Sequence, residues 1–227
     1  MKPPRQPLTD EELKNLSVRD LIRWQLTDDE TSRLRQINEL KRQKRKEFSK
    51  KLRIEEEPLL ADLRAIGWDP GVDSVWDLVN TAEPYPEAIP ILLRHLTRPY
   101  SDRIKEGIAR ALAVSDAVDA WPILVAEYKK AEEGQENGVM RGYKDGLAVA
   151  LAAIATDAVL GEVISLIKDT SNGSTRIFFL GPLCESKNPL ARQTIEELKD
   201  DPDIKKEITF LKKKEAMALR KKQRQGA

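Results

Sequence analysis

Two segments occur twice in this sequence: AIPILL at residues 88–93 returns as AWPILV at 120–125, and KEGIARALA at 105–113 returns as KDGLAVALA at 144–152. The copies lie about 32 and 39 residues apart. In each copy apolar residues recur every three or four positions, which is the spacing of an amphipathic helix. Self-similarity at a period of roughly 20 to 50 residues is typical of stacked supersecondary units. The sequence therefore predicts an all-α fold built from repeated pairs of helices.

The repeats also predict how the chain is organised. The second copy carries an insertion at 129–138 (KKAEEGQENG), which lengthens its period. We expect residues 1–57 to form a helical, partly basic extension, 58–83 to cap the open end of the array, and 84–222 to form about four helix pairs. Pro182 is expected to kink the second helix of the third pair. The predicted pairs are 86–97 with 101–114, 116–132 with 139–155, 157–168 with 174–185, and 189–199 with 202–222.

Glycine recurs at one position of the second helix in the first two pairs. Gly107 and Gly146 hold the same place in the two copies. Glycine inside a helix costs roughly 1 kcal/mol relative to alanine, so its recurrence indicates that neighbouring helices approach closely there. The segment DRIKEGIARAL at 102–112 has an Asp, a basic residue and a small-residue run that ends in Ala-Leu, and it resembles HEAT-type repeat proteins. The resemblance covers about residues 84–211, is degenerate in the last two pairs, and implies an α-solenoid, a fold that specifies function hardly at all.

Capping patterns predict where the N-terminal helices begin. Thr9 with Glu12, and Thr27 with Glu30, both have the Thr-x-x-Glu spacing of a capping box. In such a box the threonine hydroxyl and the glutamate carboxylate each accept a backbone N–H of the first turn. A long, mostly polar helix is therefore predicted over 28–54.

A second helix start is predicted at Pro58, because three acidic residues precede it and proline is tolerated at the first helical position. The segment 58–66 is expected to be a separate amphipathic helix that ends at Gly67. Ser74 is expected to cap a short helix that follows.

Charge is segregated along the chain. The net charge of +1 combines about +3 over 1–66, −8 over 67–201 and +6 over 202–227. Between residues 41 and 53 there are eight Lys or Arg and one acidic residue. One interpretation is a solvated helix that packs only through apolar residues at its two ends. The other is an arm that binds nucleic acid or an acidic protein.

The composition limits the cellular compartment and the kinds of covalent bond that the chain can form. The chain is 34% charged and 5% aromatic, with a single cysteine and a single histidine. An intrachain disulfide is excluded, and a lone thiol fits a reducing compartment. The N-terminal residues lack the apolar stretch of a signal peptide, and no apolar run reaches the length of a membrane span. We therefore expect a cytoplasmic protein with no membrane association.

The two residues most often involved in catalysis or metal binding are expected to be structural. One histidine and one cysteine cannot form a usual zinc site, and no nucleophile motif is present. His95 lies near a helix end and is interpreted as a structural or surface residue. Cys184 is interpreted as a small buried residue. The sequence thus predicts no catalytic residues, no metal ligands and no cofactor.

Partner binding is the function that remains. The second helices of HEAT-type pairs usually line the concave side, and the insertion at 129–138 would lie at its edge. The basic residues there are candidate contacts for a partner, although they could instead pair with neighbouring acids such as Glu106 and Asp145. The candidates are Arg103, Arg110, Arg141, Lys144 and Arg176.

We therefore expect a non-catalytic scaffold or adaptor that binds another protein. A bacterial toxin-neutralising protein is a specific version, motivated by size, repeat type and predicted compartment. The chief alternative is nucleic-acid binding through the basic helix at 41–53 and the C-terminal helix at 205–224. The acidic balance of the repeats opposes a phosphate partner along their whole groove. An enzyme on a degenerate repeat scaffold is the third class, and the oligomeric state stays open.

Overall fold

A computed structural model describes residues 6–23, 25–68, 73–132 and 142–225. Within these ranges the regular secondary structure is entirely helical, which confirms the predicted all-α class. Short 3₁₀ segments lead into several of the helices. The α-helices are α1 (Asp10–Asn15), α2 (Val18–Arg23), α3 (Asp28–Ala65), α4 (Val75–Asn80), α5 (Ile89–Leu96), α6 (Asp102–Ala111), α7 (Trp121–Lys130), α8 (Tyr143–Ile154), α9 (Leu160–Lys168), α10 (Leu180–Glu185), α11 (Pro189–Glu197) and α12 (Lys205–Gln225).

The chain divides into two compact units, Met1–Glu55 and Glu56–Ala227. The first unit has a small apolar core. Leu8, Leu13 and Ile37 are buried there. Three leucines at positions 16, 26 and 34 pack against them. Among the described residues, the apolar core of this unit is therefore small and comes from α1, the segments beside it and the first part of α3.

The two predicted capping boxes are confirmed in this unit. The Thr9 hydroxyl accepts the N–H of Glu12, and the Glu12 carboxylate accepts the N–H of Thr9. Thr27 and Glu30 make the same pair of bonds, at 3.2 and 2.9 Å. The carboxylate of Glu30 is buried and also accepts the N–H of Leu8 at 2.8 Å. The second box therefore starts α3 and also holds the segment before α1 in place.

α3 runs without a break through Pro58, so the predicted separate helix at 58–66 is wrong. Proline removes the N–H that would bond to the carbonyl of Ile54, and its ring crowds that carbonyl. The turn after the proline is fixed by tertiary packing, because its leucines at 59, 60 and 63 are buried. The turn before it is fixed as well, since Glu56 accepts the N–H of Val75 at 2.6 Å. Packing on both sides of the proline therefore overrides the local signal for a break.

The end of α3 is as predicted. Gly67 adopts a φ of 85°, a conformation that favours glycine. Its N–H bonds to the carbonyl of Arg64 at 3.0 Å, and the N–H of Trp68 bonds to that of Leu63 at 3.3 Å. These two bonds form a Schellman motif, which satisfies carbonyls at the helix end.

In the second unit the first two predicted pairs are present as neighbouring helices. α5 packs against α6, and α7 packs against α8. The second members also contact one another in succession: α4 packs on α6, α6 on α8, and α8 on the 3₁₀ segment Thr170–Phe179. α6 and α8 therefore each pack against the first helix of their own pair and against the elements on either side in this series.

The third pair differs from the prediction. Its second half is a 3₁₀ segment at Thr170–Phe179 followed by α10, so a single helix over 174–185 is wrong. Gly173, with a φ of 57°, interrupts the 3₁₀ segment. Pro182 lies in the first turn of α10, where an N–H has no intrahelical partner to lose. The break therefore precedes the proline, and Pro182 does not kink a longer helix.

The two repeated glycines are packing positions, as predicted. A Cβ added at Gly107 would lie 2.5 Å from Cγ1 of Val75. One added at Gly146 would lie 2.9 Å from the carbonyl oxygen of Glu106 and 3.2 Å from Cβ of Ala109. The missing side chains therefore allow α4 to approach α6, and α6 to approach α8.

Candidate functional site

Four side chains of α4 and α6 form a charged and aromatic group that we call the Arg103 cluster: Trp76, Arg103, Glu106 and Arg110. The two arginines lie three residues before and four residues after the glutamate, so helical geometry brings them to its carboxylate. Arg103 Nη1 lies 3.1 Å from Glu106 Oε2, and Arg110 Nε lies 2.9 Å from Oε1. Each guanidinium is thus held in place by a carboxylate that is almost fully buried.

The Arg103 guanidinium also stacks on an aromatic ring. Its central carbon lies 3.8 Å from the centroid of the Trp76 ring. A cation over an indole face is attracted by the ring quadrupole, by roughly 0.5–1 kcal/mol at an exposed site. The Arg103 side chain is 45% exposed, so the stacked group is fixed and still accessible to a partner.

A second polar group joins α7 and α8. The Tyr143 hydroxyl donates to Glu127 at 3.0 Å, and Lys130 forms an ion pair with the same carboxylate at 3.0 Å. Lys105 of α6 lies 4.8 Å from the centroid of the Tyr143 ring. Burial, followed by the charge of Glu127, raises the pKa of the Tyr143 hydroxyl far above its ordinary value. Burial would raise the pKa of Glu127, but the hydrogen bonds from Lys130 and Tyr143 lower it. The tyrosine is therefore a neutral donor and the glutamate an anion near neutral pH.

The structure separates the predicted partner-binding residues. Arg103 and Arg110 come together in the Arg103 cluster, and their pairing with Glu106 matches the alternative in which they pair with a neighbouring acid. Lys144 is buried, with its ammonium 5.1 Å from the centroid of the Tyr128 ring. Arg141 lies outside the described residues.

Arg176 is fully buried, which conflicts with a role at the surface. Its Nε donates to the carbonyl of Ile167 at 2.6 Å, and its Nη2 forms an ion pair with Asp201 at 2.6 Å. The hydrogen bond from Arg176 holds the pKa of Asp201 below its ordinary value, against the effect of burial. The sequence predicted Arg176 to be one of the exposed basic residues of a second helix. Its ion-pair partner, Asp201, lies 25 residues later and could not be identified from local spacing.

His95 is buried between two polar partners, in keeping with its interpretation as a structural residue. Nε2 lies 2.8 Å from Asp62 Oδ2, and Nδ1 lies 2.7 Å from the Tyr100 hydroxyl. Burial lowers the pKa of the imidazole despite the bond to Asp62. A neutral ring that donates from Nε2 and accepts at Nδ1 satisfies both contacts.

Cys184 is exposed at the end of α10, so its interpretation as a buried residue is wrong. The preceding residue, Leu183, carries the burial in this turn. The cysteine borders an open cleft of about 670 Å³ between α10 and α11, together with Lys187, Arg192 and Glu196. Seven of the nine lining residues are polar or charged, and none is aromatic.

The first unit presents a strongly basic surface on α3. Six exposed side chains line one shallow groove of about 410 Å³ along this helix. We call this set the basic face of α3. It consists of Arg42, Arg45, Lys46, Ser49, Lys50 and Arg53. The basic run was visible in the sequence, and helical periodicity places these six residues on one side.

Comparison with known proteins does not assign the chain to a family. No family model matches the chain. A search of curated proteins and a search of solved structures also found no match. The resemblance to HEAT-type repeats therefore depends on the residues of this chain, and it stays a prediction.

The described residues contain no group of three or more His, Cys, Asp or Glu side chains placed to hold a metal ion. No single helix among them is long and apolar enough to cross a membrane. The segments Tyr143–Ile154 and Asp157–Lys168 reach that length and hydropathy only together, across a bend of 118°.

Proposed function

We propose that this chain is a non-catalytic α-solenoid of the HEAT type, and that the Arg103 cluster is the surface through which it binds another protein. The observation that carries the proposal is the exposed Arg103 guanidinium fixed between Trp76 and Glu106. Arginine and tryptophan dominate the binding energy of protein interfaces. A side chain that is already ordered loses less conformational entropy when a partner binds it.

The charge of the cluster favours a protein over a polyanion. Two arginines share one buried glutamate, so the local excess is one positive charge. Phosphate backbones are bound by side chains that neutralise phosphates and release counterions. Both guanidinium groups here already have a carboxylate, and contact with phosphate would compete with it. A protein partner can instead cover the stacked Arg103 with an aromatic or carbonyl-rich surface.

Capture followed by reconstitution tests the proposal. The full chain would be immobilised, exposed to a lysate of its source organism and crosslinked, and any protein retained in near-stoichiometric amount would be purified. Its affinity would then be measured for the wild type, for Arg103→Ala and for Arg192→Ala. Arg192 is an exposed arginine of α11, outside the cluster, and serves as the matched control.

We expect Arg103→Ala to weaken the complex by about 30-fold, which corresponds to the roughly 2 kcal/mol of an interface hot spot. Arg192→Ala should leave the affinity within about twofold. Equal affinity for the wild type and Arg103→Ala would contradict the assignment of the cluster. Binding of duplex DNA that is lost in Arg103→Ala would contradict the choice of a protein as the partner.

A further inference from the structure

The basic face of α3 belongs to the first unit and plays no part in the proposed protein contact. Its six residues are exposed and recur at intervals of three or four along the helix. From Arg42 to Arg53 the helix rises about 17 Å, at about 1.5 Å per residue. The only acidic residue between them, Glu47, lies well away from the centre of the basic face at 3.6 residues per turn. Arg42 also forms an ion pair with Glu39 at 2.9 Å.

We propose that the basic face of α3 binds the phosphate backbone of double-stranded nucleic acid. A duplex carries roughly one negative charge per 1.7 Å of its axis, so a length of 17 Å presents about ten charges to five cations. The face supplies one cation for about two of these charges and spreads the cations along the whole length, and the hydroxyl of Ser49 adds a hydrogen-bond donor in the middle.

The rest of α3 argues for a duplex over a single strand. Binding of single strands without sequence preference uses aromatic side chains on which bases stack. The six residues of the basic face include no aromatic side chain. Phe48 is 55% exposed, but helical periodicity places it well away from the centre of that face. Contacts to backbone phosphates, which need no base to be unstacked, fit these residues better.

A membrane surface fits less well. The exposed apolar residues of this helix are Leu40, Phe48 and Ile54. Lys44 and Lys51 lie among them on the side opposite the basic face. Insertion of that side into the headgroup region would carry two lysine ammonium groups with it, whereas interfacial helices keep their apolar side free of charge.

Salt dependence measures how many phosphates the face neutralises. Each neutralised phosphate contributes about −0.9 to the slope of log K against log salt. Four or five contacts therefore predict a slope of about −4, so the affinity should fall about 250-fold between 50 and 200 mM salt. The measurement uses the full chain and a fluorescein-labelled 20-bp DNA of mixed sequence, read by fluorescence anisotropy.

Two double substitutions with the same change in charge locate the contact. Lys46→Gln with Lys50→Gln removes two cations from the basic face. Lys44→Gln with Lys51→Gln removes two from the opposite side of the same helix. All four lysines are exposed, and glutamine is nearly as good a helix former as lysine, so circular dichroism should show equal helix content.

We expect the first variant to have a slope of about −2 and the second to keep a slope of about −4. Equal losses in both variants would overturn the proposal, because net charge alone would then explain binding. Tighter binding to vesicles containing phosphatidylserine, or to poly-glutamate, than to the duplex would also overturn it in favour of those partners. A duplex affinity that neither variant changes would assign the binding to another part of the chain and would equally overturn it.

Discussion

Gly146→Ala tests whether α6 and α8 are as close as the structure has them. The added Cβ would lie 2.9 Å from the backbone oxygen of Glu106 and 3.2 Å from Cβ of Ala109. A Cβ essentially never approaches another heavy atom within 3.0 Å. A backbone oxygen inside a helix cannot rotate away as the end of a side chain can. The two helices would therefore have to separate by a few tenths of an ångström along their contact.

Two opposing terms set the magnitude. Overpacking of a well-filled interior costs about 1–3 kcal/mol. Alanine in a helix is favoured over glycine by up to about 1 kcal/mol. The net effect at Gly146 should be a destabilisation of about 1 kcal/mol. Gly161 in α9 has no atom within 4 Å of an added Cβ, so the same substitution there should gain stability from helix propensity alone.

Thermal unfolding followed by circular dichroism at 222 nm compares the two variants. The expected difference of about 2 kcal/mol in the free energy of unfolding corresponds to about 6 °C in the midpoint for a chain of this size. Gly161→Ala should have the higher midpoint and Gly146→Ala the lower, with the wild type between them. If Gly146→Ala instead raises the midpoint as much as Gly161→Ala does, the close contact between α6 and α8 is absent and the reasoning is refuted.

Three further predictions concern polar groups of the second unit. Arg176→Ala should lower the free energy of unfolding, measured with urea, by about 3–5 kcal/mol, because it leaves Asp201 without its buried partner. A loss below about 1 kcal/mol would contradict the buried ion pair. The pKa of His95 is lowered by burial, so the unfolded chain binds more protons than the folded chain just below about pH 6.5. The wild type should therefore lose stability as the pH falls from 7.5 to 5.5, and His95→Gln should reduce that loss; an equal loss in both would place the titration elsewhere. Ser74→Ala should destabilise by about 1 kcal/mol, because the Ser74 hydroxyl caps α4 by accepting the N–H of Trp76, and an unchanged urea midpoint would exclude this contribution.

Local signals in the sequence predicted the features that depend on neighbouring residues. The boxes at Thr9 and Thr27 form because the threonine and the glutamate are three residues apart, whatever packs around them. Gly67 ends α3 because a positive φ is needed there. Gly107 and Gly146 could be identified as packing positions because the repeat shows the same choice twice. For the capping boxes and Gly67 the cause lies within one turn of helix, and for the two glycines the repeat itself supplies the signal.

Two of the errors have the opposite property, since their causes lie far away in the chain. Pro58 continues a helix because packing holds the turns on both sides, and the N–H of Val75, 19 residues further on, donates a hydrogen bond to the carboxylate of Glu56. Arg176 is buried because Asp201 draws it inward. Pro58 and Arg176 are both conspicuous in the sequence, but the sequence does not show which distant group contacts the region around each of them. The stacking of Arg103 on Trp76 was missed for the same reason, because it depends on how α4 and α6 pack.

The same dependence on surroundings separates the two classes of cation in this chain. Arg103, Arg110 and Arg176 are held against carboxylates that are mostly buried. Ion pairs in such sites are screened weakly by salt, so added salt should change the stability of the second unit little. The basic face of α3 is exposed along its whole length, and its binding to a polyanion should fall steeply over the same salt range. A salt titration that follows both the stability of the protein and the anisotropy of labelled duplex DNA therefore distinguishes cations that stabilise the fold from cations that bind a partner. The net charge of +1 does not distinguish them.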